Sequence, residues 1–85
     1  MVEKVRLYQN KIMGIENDYK KLLECIAVNI RRIRHQRQLT QEDMMDLGFN
    51  YRFFQKLESG TYSPNLRTLH RLARALHVNI KEFLP

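Results

Sequence analysis

The sequence predicts an all-α protein. Its 85 residues include only three Gly and two Pro, and apolar residues recur at helical spacing along most of the chain. Thr40 and Asn50, both good helix N-caps, each stand just before such a run. This length holds one domain with one modest core, which excludes a large active-site cleft with its own scaffold. The single Cys25 cannot form an internal disulfide. No apolar run approaches the ~20 residues that span a bilayer. Glu3, Lys4 and Arg6 interrupt the N-terminus where a signal peptide needs an apolar stretch. The expectation is a soluble intracellular protein.

The first segment has a seven-residue rhythm. Val5, Ile12, Tyr19, Ile26 and Ile33 recur every seventh residue, and Tyr8, Ile15 and Leu22 fall three after the first three of them. That pattern gives a helix one apolar seam to offer a partner. Gly14 and Asn17-Asp18 weaken its middle. Two readings fit: one long helix, or two meeting near residues 14–18 with Asn17 or Asp18 as the second cap. The helical pattern continues to Gln38 through Leu22, Leu23, Ile26, Ile30 and Ile33.

Thr40 opens the next helix, its hydroxyl suited to accept an N–H that the first turn leaves unpaired. Glu42 and Asp43 place negative charge at the positive end of the dipole. Gly48 ends that helix in a tight turn needing positive φ. Asn50 caps a short helix, 51–58, with Phe54 and Leu57 inward, and Ser59-Gly60 stops it. A loop through Pro64 leads to an amphipathic helix from Asn65 to His77, with Leu66, Leu69, Leu72, Ala73 and Leu76 inward. A last short turn packs Ile80, Phe83 and Leu84.

The formal net charge is +6, unevenly distributed. Residues 1–24 carry +1, whereas residues 25–85 carry +5, with a dense cluster at Arg31, Arg32, Arg34 and Arg37. Such a cluster is either a solvated face or a nucleic-acid footprint, and it is the latter only beside a recognition element.

Two short helices joined by a tight glycine turn, the first opened by Thr40-Gln41-Glu42, have the layout of a helix-turn-helix. Over residues 26–84 the chain resembles the Xre/Cro type of helix-turn-helix regulator, the fold of lambda-like repressors and restriction–modification controllers. The matching pieces are Ile30-Arg31-Arg32-Ile33-Arg34, Leu39-Thr40-Gln41-Glu42-Asp43, Gly48, Leu57-Glu58-Ser59-Gly60, Pro64, and the run from Leu69 to Leu76. The resemblance implies a five-helix lambda-repressor-like DNA-binding domain over residues 25–85. The seven-residue seam adds an N-terminal helix over residues 1–24, which the resemblance does not cover, as a candidate dimerisation element.

Several residue roles follow from that resemblance. The helix 51–58 corresponds to the recognition helix, which lies in the major groove and reads bases from its N-terminal residues. Its outward side chains by match to the family are Asn50, Tyr51, Arg52, Phe53, Gln55 and Lys56. Arg52 and Lys56 suit guanine O6/N7, Gln55 suits adenine, and an aromatic edge suits the thymine methyl. Thr40 and Gln41 stand at the start of the preceding helix, where a phosphate oxygen is well received. Thr61, Tyr62, Ser63 and Asn65 correspond to positions that hold the next phosphates. Arg34 and Glu58 resemble the family's ion pair between first and recognition helices. The chain also departs from the pattern: the step from Gln41 to Gly48 is one residue shorter than usual. Met44 or Leu47 must therefore fill the inner contact, and Met45 stands where a small Ala is usual.

Other chemistry finds no support. His70 and His77 lie two turns apart on one helix face without a third ligand between them, and His35 is remote, so no metal site is expected. Cys25 has no Cys-x-x-Cys partner. Glu42, Asp43 and Asp46 are helix-start charges, and no nucleophile triad or phosphate loop is present. No catalytic residue, cofactor or small-molecule ligand is expected, and the protein is read as a non-enzyme.

The expected function is sequence-specific binding of double-stranded DNA by a transcriptional regulator. It would act as a homodimer on two half-sites about one helical turn apart, with RNA polymerase as a further partner. Cytoplasmic placement at a prokaryotic or phage nucleoid follows from that role. The alternative is an antitoxin or interaction module that binds a partner protein and autoregulates its operon. Membrane binding is disfavoured by the near-neutral charge of residues 1–24. The seam residues Val5, Tyr8, Ile12, Ile15, Tyr19 and Leu22 are the dimerisation candidates. They either fold back on their own domain, pair with a second copy, or embrace the other subunit.

Overall fold

The computed structural model describes the backbone of residues 2–85 and the side chains of residue 11 and residues 13–85. These residues form four α-helices and one 3-10 turn, with no strand among them. The helices are α1 (Val2–Gln36), α2 (Asp43–Asp46), α3 (Tyr51–Glu58) and α4 (Leu66–Leu76), and the 3-10 turn is Ile80–Phe83. The all-α class is observed. The N-terminal segment and the first helix of the motif form one continuous helix of 35 residues. Gly14 does not break it, because glycine inside a helix costs only about 1 kcal/mol and removes no hydrogen bond. No described helix is long and apolar enough to cross a membrane.

Both long helices close in the same way. Gln38 takes a left-handed φ of 59°, and the amides of Gln38 and Leu39 bond back to the carbonyls of His35 and Arg34. His77 takes φ 57°, and the amides of His77 and Val78 bond to the carbonyls of Arg74 and Ala73. Each end is a Schellman closure made without glycine. Asn50 and Asn65 cap the N-terminal ends of α3 and α4, accepting from the amides of Phe53 at 3.1 Å and Thr68 at 2.8 Å.

The core gathers Ile26, Ile30 and Ile33 of α1, Phe54 and Leu57 of α3, and Leu69, Leu72 and Leu76 of α4. Met44, Phe49, Ala73 and Phe83 complete it. The shortened α2 is resolved by Met44, which is fully buried, while Met45 and Leu47 are 53% and 43% exposed. Two inward expectations are corrected. Leu66 is 73% exposed, because at the first turn of α4 it lines an open surface groove with Arg67, His70 and Ile80. Leu84 follows the 3-10 turn and is 42% exposed, while Phe83 is fully buried at that end of the core with Ile80 packed against it.

Candidate nucleic-acid interface

The α3 helix has two faces set by its 3.6-residue period. Phe54, Leu57 and Glu58 are buried, whereas Arg52, Gln55 and Lys56 stand exposed on the other side. Asn50 is also exposed, but its side-chain oxygen is occupied by the cap. Tyr51 is half-buried, with its hydroxyl 3.4 Å from Glu42 Oε1. Phe53 is half-buried and packs edge-on against Tyr62, ring centroids 5.3 Å apart. Those two aromatics therefore tie α3 to the loop that follows it.

The buried side of α3 is fixed by one carboxylate. Arg34 Nε donates to Glu58 Oε2 at 2.8 Å and Arg34 Nη2 to Oε1 at 3.0 Å, with both residues buried. This fork geometry is the strong form of an ion pair. Gln41 Nε2 donates to the same Oε1 at 2.9 Å, so this half-buried side chain braces α2 against α3 from within. Arg34 Nη1 reaches the Leu39 carbonyl at 2.8 Å, and Arg31 Nη2 the Glu58 carbonyl at 2.8 Å. No described buried side-chain nitrogen or oxygen is left without a hydrogen-bond partner.

The start of α2 and the turn that follows it are held equally closely. Thr40 Oγ1 accepts from the Asp43 amide at 3.1 Å, and Asp43 Oδ2 accepts from the Thr40 amide at 2.7 Å, a reciprocal capping box. The bonds to the Thr40 amide and then its hydroxyl hold the Asp43 carboxyl below its ordinary range. Gly48 sits at φ 95°, its carbonyl accepting from Arg71 Nη2 at 3.1 Å, and that guanidinium lies 5.0 Å above the Phe49 ring.

Thr61 and Ser63 are exposed in the loop between α3 and α4, and Asn65 is exposed at the N-terminus of α4. Ser63 Oγ accepts a hydrogen bond from the Tyr19 hydroxyl of α1. Of the seam candidates, Leu22 is half-buried against its own core, and Ile15 is 67% exposed. Val5, Tyr8 and Ile12 lie outside the residues whose side chains are described.

The basic cluster divides into separate tasks that its composition does not reveal. Arg31 and Arg34 serve Glu58, whereas Arg37 reaches across to α4, Nε to the Leu76 carbonyl at 2.9 Å and Nη2 to the His77 carbonyl at 3.3 Å. Among the described residues Arg32 makes no side-chain hydrogen bond. The one sequence signal for this division is the three-residue step from 31 to 34 to 37, along the end of α1 and into the turn after it.

Comparison with known proteins places this geometry. Residues 29–85 match the family model of the Cro/C1-type HTH DNA-binding domain. The chain is also 35% identical over 68 residues to the uncharacterized HTH-type transcriptional regulator y4dJ of Sinorhizobium fredii, covering 79% of this chain and 84% of that protein. No solved structure matches this chain.

Proposed function

The chain belongs to the Cro/C1-type helix-turn-helix DNA-binding family, and from that premise we propose that it is a sequence-specific transcriptional regulator acting as a homodimer on a two-half-site operator. The observation that carries the reading is the exposed Arg52, Gln55 and Lys56 stripe of α3, backed by the buried Arg34–Glu58 pair. A rigid recognition helix with donors on its outer face can discriminate bases at about 1–3 kcal/mol per good contact. Thr61, Ser63 and Asn65 hold the neighbouring phosphates, and Thr40 stands at the opposite flank. The +5 charge of residues 25–85 supplies the sequence-independent attraction.

Residues 1–24 are the dimerisation element in this reading, with residues 25–85 as the DNA-binding domain. Ile15, with two-thirds of its surface exposed on α1, supports that assignment. The regulator acts from the nucleoid by position, excluding or recruiting RNA polymerase, as in restriction–modification controllers. Selection of bound duplexes from a random pool tests the proposal. It should return a pair of related half-sites with centres about 10 base pairs apart or a multiple of that. A pool that keeps no sequence preference contradicts it.

A further inference from the structure

The α1 helix runs past the start of its own core and along the loop that follows α3. Gly60 is buried at φ 80°, and a Cβ placed there would lie 3.5 Å from the Glu24 Cα and 3.7 Å from the Ala27 Cβ. Tyr19, Lys20, Gly60 and Thr61 line one groove between helix and loop. Ser59 Oγ and Thr61 Oγ1 lie 2.8 Å apart within the loop, and Tyr62 is clamped by Phe53 from the other side.

Resting on the DNA-binding reading above, we propose that Tyr19 is a positioning residue for the phosphate contact made by Ser63. A serine hydroxyl has one proton to donate and can accept from others. The Tyr19 hydroxyl donates to Ser63 Oγ, so the Ser63 proton stays free to point at a phosphate oxygen. Donation into that oxygen polarises its O–H and strengthens the outgoing bond. The contact also fixes the serine rotamer in a loop that would otherwise pay to order it on binding. The N-terminal part of α1 thereby becomes part of the DNA-binding surface, although it lies outside the helix-turn-helix. Its contribution is to the backbone and is independent of base sequence.

The test removes single hydroxyls while keeping the surrounding shapes. Tyr19→Phe, Ser63→Ala and the double variant are compared with the unmodified protein on the selected operator and on a random duplex. Melting temperature and circular dichroism monitor the fold. Tyr19→Phe should weaken both duplexes alike by roughly three- to tenfold, the scale of one hydrogen bond, with unchanged melting and unchanged base preference. Ethylation interference should lose the same phosphate in Tyr19→Phe and in Ser63→Ala. The double variant should bind no more weakly than Ser63→Ala alone, because both changes remove one contact. Wild-type affinity in Tyr19→Phe, or fully additive losses in the double variant, overturns the role of Tyr19 and leaves the DNA-binding reading intact. An unmodified protein that binds no duplex overturns both.

Discussion

Arg34 and Glu58, 24 residues apart, share two parallel hydrogen bonds of 2.8 and 3.0 Å inside the protein, where their side chains are only 8% and 3% exposed. A buried pair of this kind is costly to break from one side, because the remaining charge stays desolvated. Glu58→Ala should therefore lower stability by about 3–5 kcal/mol, whereas Arg34→Met with Glu58→Leu should cost less than the two single changes together. Urea unfolding of the unmodified protein, the single variants and the double variant measures this. Single variants that lose less than about 1 kcal/mol would place the pair among weak surface bridges.

Asn50 separates capping from DNA contact. Its side-chain oxygen accepts from the Phe53 amide, so Asn50→Ala should cost about 1 kcal/mol of stability. Asn50→Asp keeps a capping oxygen but adds a negative charge at the end of α3 that the proposed function turns toward the groove. It should unfold like the unmodified protein and bind duplex DNA more weakly. Equal affinity in the two proteins would move the end of α3 away from the phosphates.

Base and phosphate contacts should differ in kind. Arg52→Ala and Lys56→Ala should each cost about 1–3 kcal/mol on the selected site and relax preference at one position. Arg67→Ala, exposed in the first turn of α4, should weaken all duplexes evenly. Repeating the selection with each variant distinguishes the outcomes. An altered site with Arg67→Ala and an unaltered one with Arg52→Ala would reverse the orientation of α3.

The Asp43 carboxyl titrates below its ordinary value because Thr40 donates to it through its amide and pairs with it through its hydroxyl. A lowered folded-state value means that its stabilisation is complete above the unfolded value, about 4, and is lost as pH falls through the folded one. Acidification below about pH 4 should loosen the start of α2. The Thr40 amide resonance reports it by nuclear magnetic resonance. In Asp43→Asn, that low-pH transition should disappear.

The α1 seam is tested by charge. Replacing Ile12 and Ile15 by Asp places two unpaired charges where a partner would bury them, which is strongly unfavourable. The double variant should sediment as a monomer, keep its helical signal and lose affinity for the two-half-site duplex. A variant that stays dimeric contradicts pairing through α1, and one that loses its helical signal indicates that the seam folds back.

Helix boundaries in the motif were legible because local chemistry marks them. Asn50 and Gly48 bound α3 and its turn with residues chosen for capping and positive φ. The continuity of α1 was not legible, since Gly14 and Asn17-Asp18 weaken a helix without ending it. Nor was the inner residue of α2, where Met44 and Leu47 fit the same periodicity and tertiary packing selects Met44. Helical spacing marks Phe54 and Leu57 as inward, whereas the outward Arg52, Gln55 and Lys56 were legible through the family resemblance, which also named Tyr51 and Phe53, both half-buried. The bonds from Arg31, Arg37 and Arg71 to distant carbonyls do not, because a backbone acceptor leaves no mark in sequence. Tyr19 illustrates the same limit: its place in the heptad suggests a seam, while its hydroxyl meets a serine 44 residues away.

The most direct test of DNA recognition through α3 is affinity for the selected duplex and for a scrambled duplex, titrated from low to moderate salt. The account predicts tighter binding to the selected duplex at every salt concentration. For both duplexes log K should fall linearly with log salt, with a slope of roughly −0.9 per phosphate contact. Binding that is indifferent to salt, or equal for the two duplexes, would contradict it.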